Sequence, residues 1–181
     1  MDADERSERL ELLFRQTFRR VMAYCLRRTG EAAAHDAVAE VYAVAWRRRR
    51  RLPAGDEEAV LWLLGIARLV LANQARSQRR WARLLRRVAE RADPDPPPAD
   101  APNDAGDGLA AALAQVSDAD RELLRLAYWD DLSRQDIATV LGISVGAVDT
   151  RLHRARQRLR QHLTAAGFHP DLTKEKNHAE R

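Results

Sequence analysis

Cysteine occurs once in this 181-residue chain, as Cys25. That excludes a disulfide framework and a thiolate-based zinc site. Aromatic residues make up only 6% of the chain, so Leu, Val and Ala must fill most of any core. No stretch alternates apolar and polar residues as a half-buried strand would, and no internal repeat is visible. No apolar run is read as reaching transmembrane length. The first residues, MDADERSERLELL, are acidic and lack a signal-peptide core. The expectation is therefore a cytoplasmic chain with no membrane insertion. A Ser/His/Asp arrangement, a phosphate loop and a metal-ligand cluster are all missing, and His153 and His162 stand on a basic segment without ligand partners. The chain is thus expected to have no catalytic residues, no metal, no cofactor and no small-molecule substrate, and not to be an enzyme.

Lysine is nearly missing as well. Of 31 basic residues only Lys174 and Lys176 are Lys. Arginine suits bidentate contacts with phosphates and base edges, although a GC-rich coding sequence produces the same excess. The net charge of +4 hides a segregation. From Arg47 to Arg91, 13 Arg stand against four acids, a net of +9. From Ala92 to Gly108 there are five Asp and no base, a net of −5. Such separation points to a polyanionic partner at the first segment and a different environment at the second.

The acidic stretch ADPDPPPADAPNDAGDG also holds five Pro and no large apolar side chain, so it reads as a flexible acidic, Pro-rich linker over 92–108. Extended at about 3.1 Å per residue, it would span about 50 Å. The expected fold is all-α, with two small helical domains on either side of it: 7–91, and 109–163 with a helix-turn-helix. A polar tail, 164–181, is expected to be disordered. In the first domain, Phe14, Phe18, Val21 and Cys25 recur at helical spacing, with Gly30 as the stop. Ala34, Val38, Val41 and Ala45 form the stripe of a second helix, from about Glu31 to Arg51. Leu52 to Glu58 is a loop, and a third helix starts near Asp56, apolar in its first half and Arg-rich in its second. The run Arg47–Arg51 is either a solvated helix end facing the dipole or a contact with DNA or protein.

In the second domain, Ser117-x-x-Asp120 and Ser133-x-x-Asp136 are capping boxes. The segment Leu132 to Leu159 then has a helix-turn-helix layout, with a short helix, a turn at Gly142, and a longer helix capped by Ser144. Val145, Val148, Leu152, Ala155 and Leu159 form its inward stripe. Gly146, Ala147, Thr150 and Arg154 point the other way, flanked by Arg151 and Arg158 on one side and Asp149 on the other. Small residues let a backbone approach a groove, where arginines reach bases or phosphates.

Three stretches taken in order, AHDAVAEVYAVAW (Ala34–Trp46), WLLGIARLVLANQARSQRR (Trp62–Arg80) and LSRQDIATVLGISVGAVDTRLHRARQRL (Leu132–Leu159), resemble regions 2.2, 2.3–2.4 and 4.2 of extracytoplasmic-function (ECF) sigma factors of the sigma-70 family. The resemblance implies a protein that binds core RNA polymerase through the β′ and β subunits and directs it to promoter DNA. It implies core-polymerase contacts at Asp36, Glu40, Tyr42 and Trp46. It implies contacts with the −10 element at Leu52, Pro53, Gly55, Asn73, Arg76, Arg79, Arg80 and Arg83. For the −35 element it implies Ser144, Gly146, Ala147, Asp149, Thr150, Arg151, Arg154 and Arg158. An anti-sigma protein is a further implied partner.

The chain departs from the family pattern at four places. His35 stands where an acid is usual and Ala39 where Gln is usual, so weaker docking on the polymerase is expected. Leu69 replaces the usual Asn. Asp149 replaces a Lys or Arg, and has two readings. It serves the helix dipole and pairs with His153, or it accepts from a cytosine amino group. Helix-turn-helix residues alone also fit a DNA-binding regulator that does not act as a polymerase subunit.

Overall fold

The computed structural model describes residues 3–89 and 107–165. The expected linker, apart from Asp107 and Gly108, lies outside the described residues, as does the expected tail beyond Ala165. Every regular element among the described residues is helical. The chain divides by contacts into two compact units, 1–97 and 98–181.

The first unit packs three helices on one another: α1 (Ala3–Leu26), α2 (Glu31–Arg47) and α3 (Asp56–Ala89). The inward stripe of α1 is Leu10, Leu13, Thr17, Val21, Tyr24 and Cys25. Phe14, expected in that stripe, is 40% exposed. It lies at the margin of the stripe, its ring 5.4 Å from Phe18 and edge-on to Tyr42 at 4.6 Å. Thr17 is buried but satisfied. Its hydroxyl donates to the Leu13 carbonyl and shares a 2.9 Å hydrogen bond with the Tyr42 hydroxyl, joining α1 to α2.

Gly30 does not terminate α1 in a left-handed conformation; with φ −66° and ψ 162° it opens α2. On α2 the stripe Ala34, Val38, Val41 and Ala45 is buried, joined by Ala37. The helix stops at Arg47, short of Arg51, and Arg49–Arg51 form a 3₁₀ turn. Five consecutive guanidinium groups repel one another, and the tighter turn carries the chain inward so that Leu52 is buried. Leu52 is extended, as the residue before a proline must be.

Asp56, Glu57 and Glu58 occupy the first turn of α3, where carboxylates oppose the helix dipole. Arg9 of α1 clasps that end through Asp56 and the Ala54 carbonyl. Ala59, Leu63, Leu64, Ile66 and Ala67 are buried, Trp62 is half-buried, and every described side chain from Arg76 to Arg86 is exposed. Contrary to the sequence reading, Asp56–Arg86 contains an 18-residue stretch long and apolar enough to cross a membrane by length and composition alone. Here its inward residues pack on α1 and α2.

The second unit holds α4 (Asp107–Gln115), α5 (Asp118–Tyr128), α6 (Arg134–Leu141) and α7 (Val145–Ala165). Arg121 of α5 closes the end of α4, donating to the carbonyls of Leu113, Ala114 and Val116. These are groups a helix C-terminus leaves without partners. Ser117 caps α5 by accepting from the Asp120 amide, but the box is not reciprocal. The Asp120 carboxylate turns inward and accepts from Arg158 of α7. The box at Ser133 and Asp136 is complete. Gly142, at φ +66°, then ends α6, with the Gly142 amide bonded to Thr139 and the Ile143 amide to Ala138, a Schellman closure.

Two predictions follow from this packing. A Cβ at Gly142 meets nothing within 4 Å, so Gly142→Ala is opposed only by its left-handed backbone. It should cost about 1 kcal/mol, seen as lost hydrogen-exchange protection in α6 and α7. Cys25 is fully buried, and burial pushes its thiol up to about 11, opposed in smaller part by Arg28. Burial likewise raises Tyr42. Both groups therefore stabilise the fold in their neutral forms. For Cys25 that contribution is complete below the ordinary thiol value of 9.0 and is lost as pH rises toward about 11. Urea midpoints of the first unit should fall over that window, and iodoacetamide at pH 8 should leave the native thiol unmodified.

Candidate nucleic-acid interface

Helix α7 owes its position to Val148, Leu152, Ala155 and Leu163, all buried, which turn the opposite side outward. The Ser144 hydroxyl accepts from the Ala147 amide at 3.2 Å, fixing the first turn. Gly146, Thr150, Arg151 and Arg154 are exposed and Ala147 is half-buried. Nothing lies within 4 Å of where a Cβ would stand at Gly146, and the Thr150 hydroxyl folds back on the Gly146 carbonyl. The front of the helix therefore presents a low-profile backbone with arginines behind it.

Two residues of this set have partners that the sequence reading did not give them. Arg158 is held by Asp120, whose side chain is only 12% exposed. It braces α7 against α5, and that pairing stabilises the unit before it serves any ligand. Asp149 pairs with Arg134, Nε to Oδ1 at 2.5 Å, rather than with His153. Arg134 opens α6, so this ion pair spans the turn between the two helices. Sequence reasoning missed Arg134 because it tested Asp149 only for neighbours on its own helix.

In the first unit, Asn73, Arg76, Arg79, Arg80 and Arg83 line one surface groove on the outer half of α3. No acid is among them, and the Arg83 side chain donates to the Arg79 carbonyl. Four guanidinium groups on one helix face make a site for an extended polyanion. Of the loop residues grouped with them, Gly55 is exposed and Pro53 half-buried, while Leu52 is 7% exposed. Leu52 packs as a core residue. Leu69, at the family's Asn position, is 49% exposed.

On α2, Asp36 and Glu40 are exposed together with His35 and Ala39. Glu40 accepts from Arg47 at 2.7 Å, which neutralises part of the acidic face. Trp46 is 49% exposed, with the Arg49 guanidinium 5.0 Å from its ring centre. Tyr42 is turned inward, bonded to Thr17 and packed on Phe14. It is half-buried and supports the helix. Among the described residues, no group of three or more His, Cys, Asp or Glu side chains stands close enough to hold a metal ion.

Comparison with known proteins bears on the whole arrangement. The family "Sigma-70, region 4" matches residues 107–159, the stretch from α4 into α7. The chain is 35% identical over 147 residues to the ECF RNA polymerase sigma factor SigL of Mycobacterium tuberculosis, covering 80% of this chain and 82% of that one. It is 31% identical over 163 residues to the RNA polymerase sigma factor CarQ of Myxococcus xanthus, covering 87% and 91%. Its fold is similar to that of the sigma factor RpoE solved in complex with the anti-sigma factor NepR from Bartonella quintana. There the TM-score is 0.57 at 23% identity, with 87% of this chain and 96% of that one covered. It is also similar to CnrH, solved with the cytosolic domain of CnrY, at a TM-score of 0.56 and 23% identity over 88% and 90%. With relatives aligned across both helical units, this chain belongs to the ECF sigma factors of the sigma-70 family.

Proposed function

We propose that this sigma factor docks on core RNA polymerase through α2 and carries it to a promoter read at two places. Asp36 and Glu40 offer two carboxylates one turn apart to a basic surface of β′, and Trp46 adds an apolar contact at their flank. The α3 groove of Asn73, Arg76, Arg79, Arg80 and Arg83 holds the strand backbone at the −10 element, with Pro53 and Gly55 at the neighbouring loop. Guanidinium groups bind phosphates regardless of base, so this groove supplies affinity and retains the opened strand. On α7, Ser144, Gly146, Ala147, Thr150, Arg151 and Arg154 meet the −35 element in the major groove. In this reading 7–91 is the region 2 domain, 109–163 the region 4 domain, and 92–108 the tether between them. The chain acts in the cytoplasm as an initiation subunit and not as an enzyme, and an anti-sigma protein is a further partner.

The observation that carries this reading is the α3 groove, an open surface depression faced by five polar or cationic side chains and no acid. It stands in a chain whose second unit is a sigma-70 region 4. Reconstitution with core polymerase on promoter DNA tests it. The triple variant Arg76→Ala, Arg80→Ala, Arg83→Ala should reduce promoter opening, followed by permanganate reactivity of unpaired thymines, by at least about tenfold. The salt dependence should become shallower by about two to three in log–log slope. Reversing the α2 acids with Asp36→Lys and Glu40→Lys should weaken core-polymerase binding about tenfold, with α-helix content unchanged by circular dichroism. Strong DNA binding by the chain alone, with no initiation in the presence of core polymerase, would sink the proposal.

A further inference from the structure

Asp149 is a carboxylate on the helix that carries Arg151 and Arg154, and the structure pairs it with a cation from the neighbouring helix. Asp149 lies on the flank of α7, about 60° round the helix from Gly146 and about 100° from Thr150 by the 100° per residue of an α-helix. Arg134 comes to it from α6, across the turn closed by Gly142 and Ser144. The contact is made at Nε. An arginine has five N–H donors in a planar fork, so the terminal nitrogens stay available. The two side chains are 45% and 51% exposed. A surface pair of this kind contributes little to stability, so stability alone gives a weak reason for it. What it does achieve is to hold a long, otherwise mobile cation beside the exposed face of Gly146 and Thr150.

We infer that Arg134 is a further DNA contact of this sigma factor, made to a backbone phosphate beside the −35 groove, and that Asp149 is the residue that positions it. The inference rests on α7 being the −35 reader. The carboxylate holds the guanidinium at the flank of α7 by charge, and a fork of five donors has nitrogens to spare for a phosphate, which favours arginine over lysine at such sites. The contact comes from two helices that the Gly142 closure holds in register, so it also links the angle between α6 and α7 to DNA binding.

Charge alone predicts the opposite sign for Asp149, and this makes the inference testable. An acid near phosphates repels them, so removing it should strengthen binding. A positioning residue should weaken binding when removed, provided Arg134 is present. The experiment uses the full chain with core polymerase and promoter duplexes selected from a pool randomised across the −35 positions. Arg134→Ala should weaken binding about five- to tenfold and lower the log–log salt slope by about one, with base preference kept. Asp149→Ala should weaken binding about two- to fivefold, yet strengthen it about twofold in the Arg134→Ala background. Asp149→Glu keeps the carboxylate that pairs with Arg134 and should bind within about twofold of the native chain. The inference is overturned if Asp149→Ala strengthens binding in both backgrounds. It is also overturned if Asp149→Ala shifts base preference at a single −35 position, since the carboxylate would then read a base itself. Arg154→Ala separates the two levels. If it weakens binding while the sign of Asp149→Ala is the same in both backgrounds, only the Arg134 assignment falls. If neither Arg154→Ala nor Arg134→Ala has an effect, the groove reading falls and takes the assignment with it.

Discussion

One uninterrupted helix, α3, carries both the core of the first unit and its cationic surface. Its 34 residues make a rod about 51 Å long at 1.5 Å per residue. The first half is locked by Leu63, Leu64, Ile66 and Ala67 against α1 and α2. Because an α-helix transmits rotation along its length, that packing also sets the direction of Asn73, Arg76, Arg80 and Arg83. A groove of like charges opposes its own assembly. Here the repulsion is confined to an exposed face, while buried apolar contacts elsewhere on the same helix hold the geometry. α2 packs on the same half of α3 that sets the direction of the arginines.

The second unit solves a related problem with short helices. Helices of 8 to 11 residues, such as α5 and α6, are marginal by themselves, and their ends are closed one by one. Arg121 covers the end of α4, the Ser133–Asp136 box opens α6 and Gly142 ends it. Asp120 and Arg158 then tie α5 to α7. The recognition helix is held at three places: its buried stripe, the Arg158 brace and the Arg134–Asp149 bridge. Only the first of these is apolar.

Much of this was legible in the chain itself. The stripe of α2, the start of α3 at Asp56, the capping box at Ser133 and the turn at Gly142 are all local, and each rests on periodicity or on one residue's backbone preference. The groove on α3 was legible for the same reason, because residues three and four apart on a helix must share a face. Where local reasoning failed, a tertiary neighbour decided. Phe14 lies at the margin of the core, against Phe18 and Tyr42. Leu52, placed in a loop by its sequence, is buried, and the Tyr42 hydroxyl is bonded to Thr17 of α1.

The amino-acid sequence by itself determined the helical class, the charge segregation and the family, because these depend on composition and on spacing within single helices. Tertiary structure decided which charges are already committed. Asp120 leaves its own capping box for Arg158, 38 residues away, and Asp149 meets Arg134 rather than its helical neighbour His153. Spacing along a helix predicts which residues share a face. It does not predict which side chain another helix brings to that face, because that depends on how two helices are held across a turn. That relation gives Arg158 of α7 a partner on α5 and Asp149 of α7 a partner on α6.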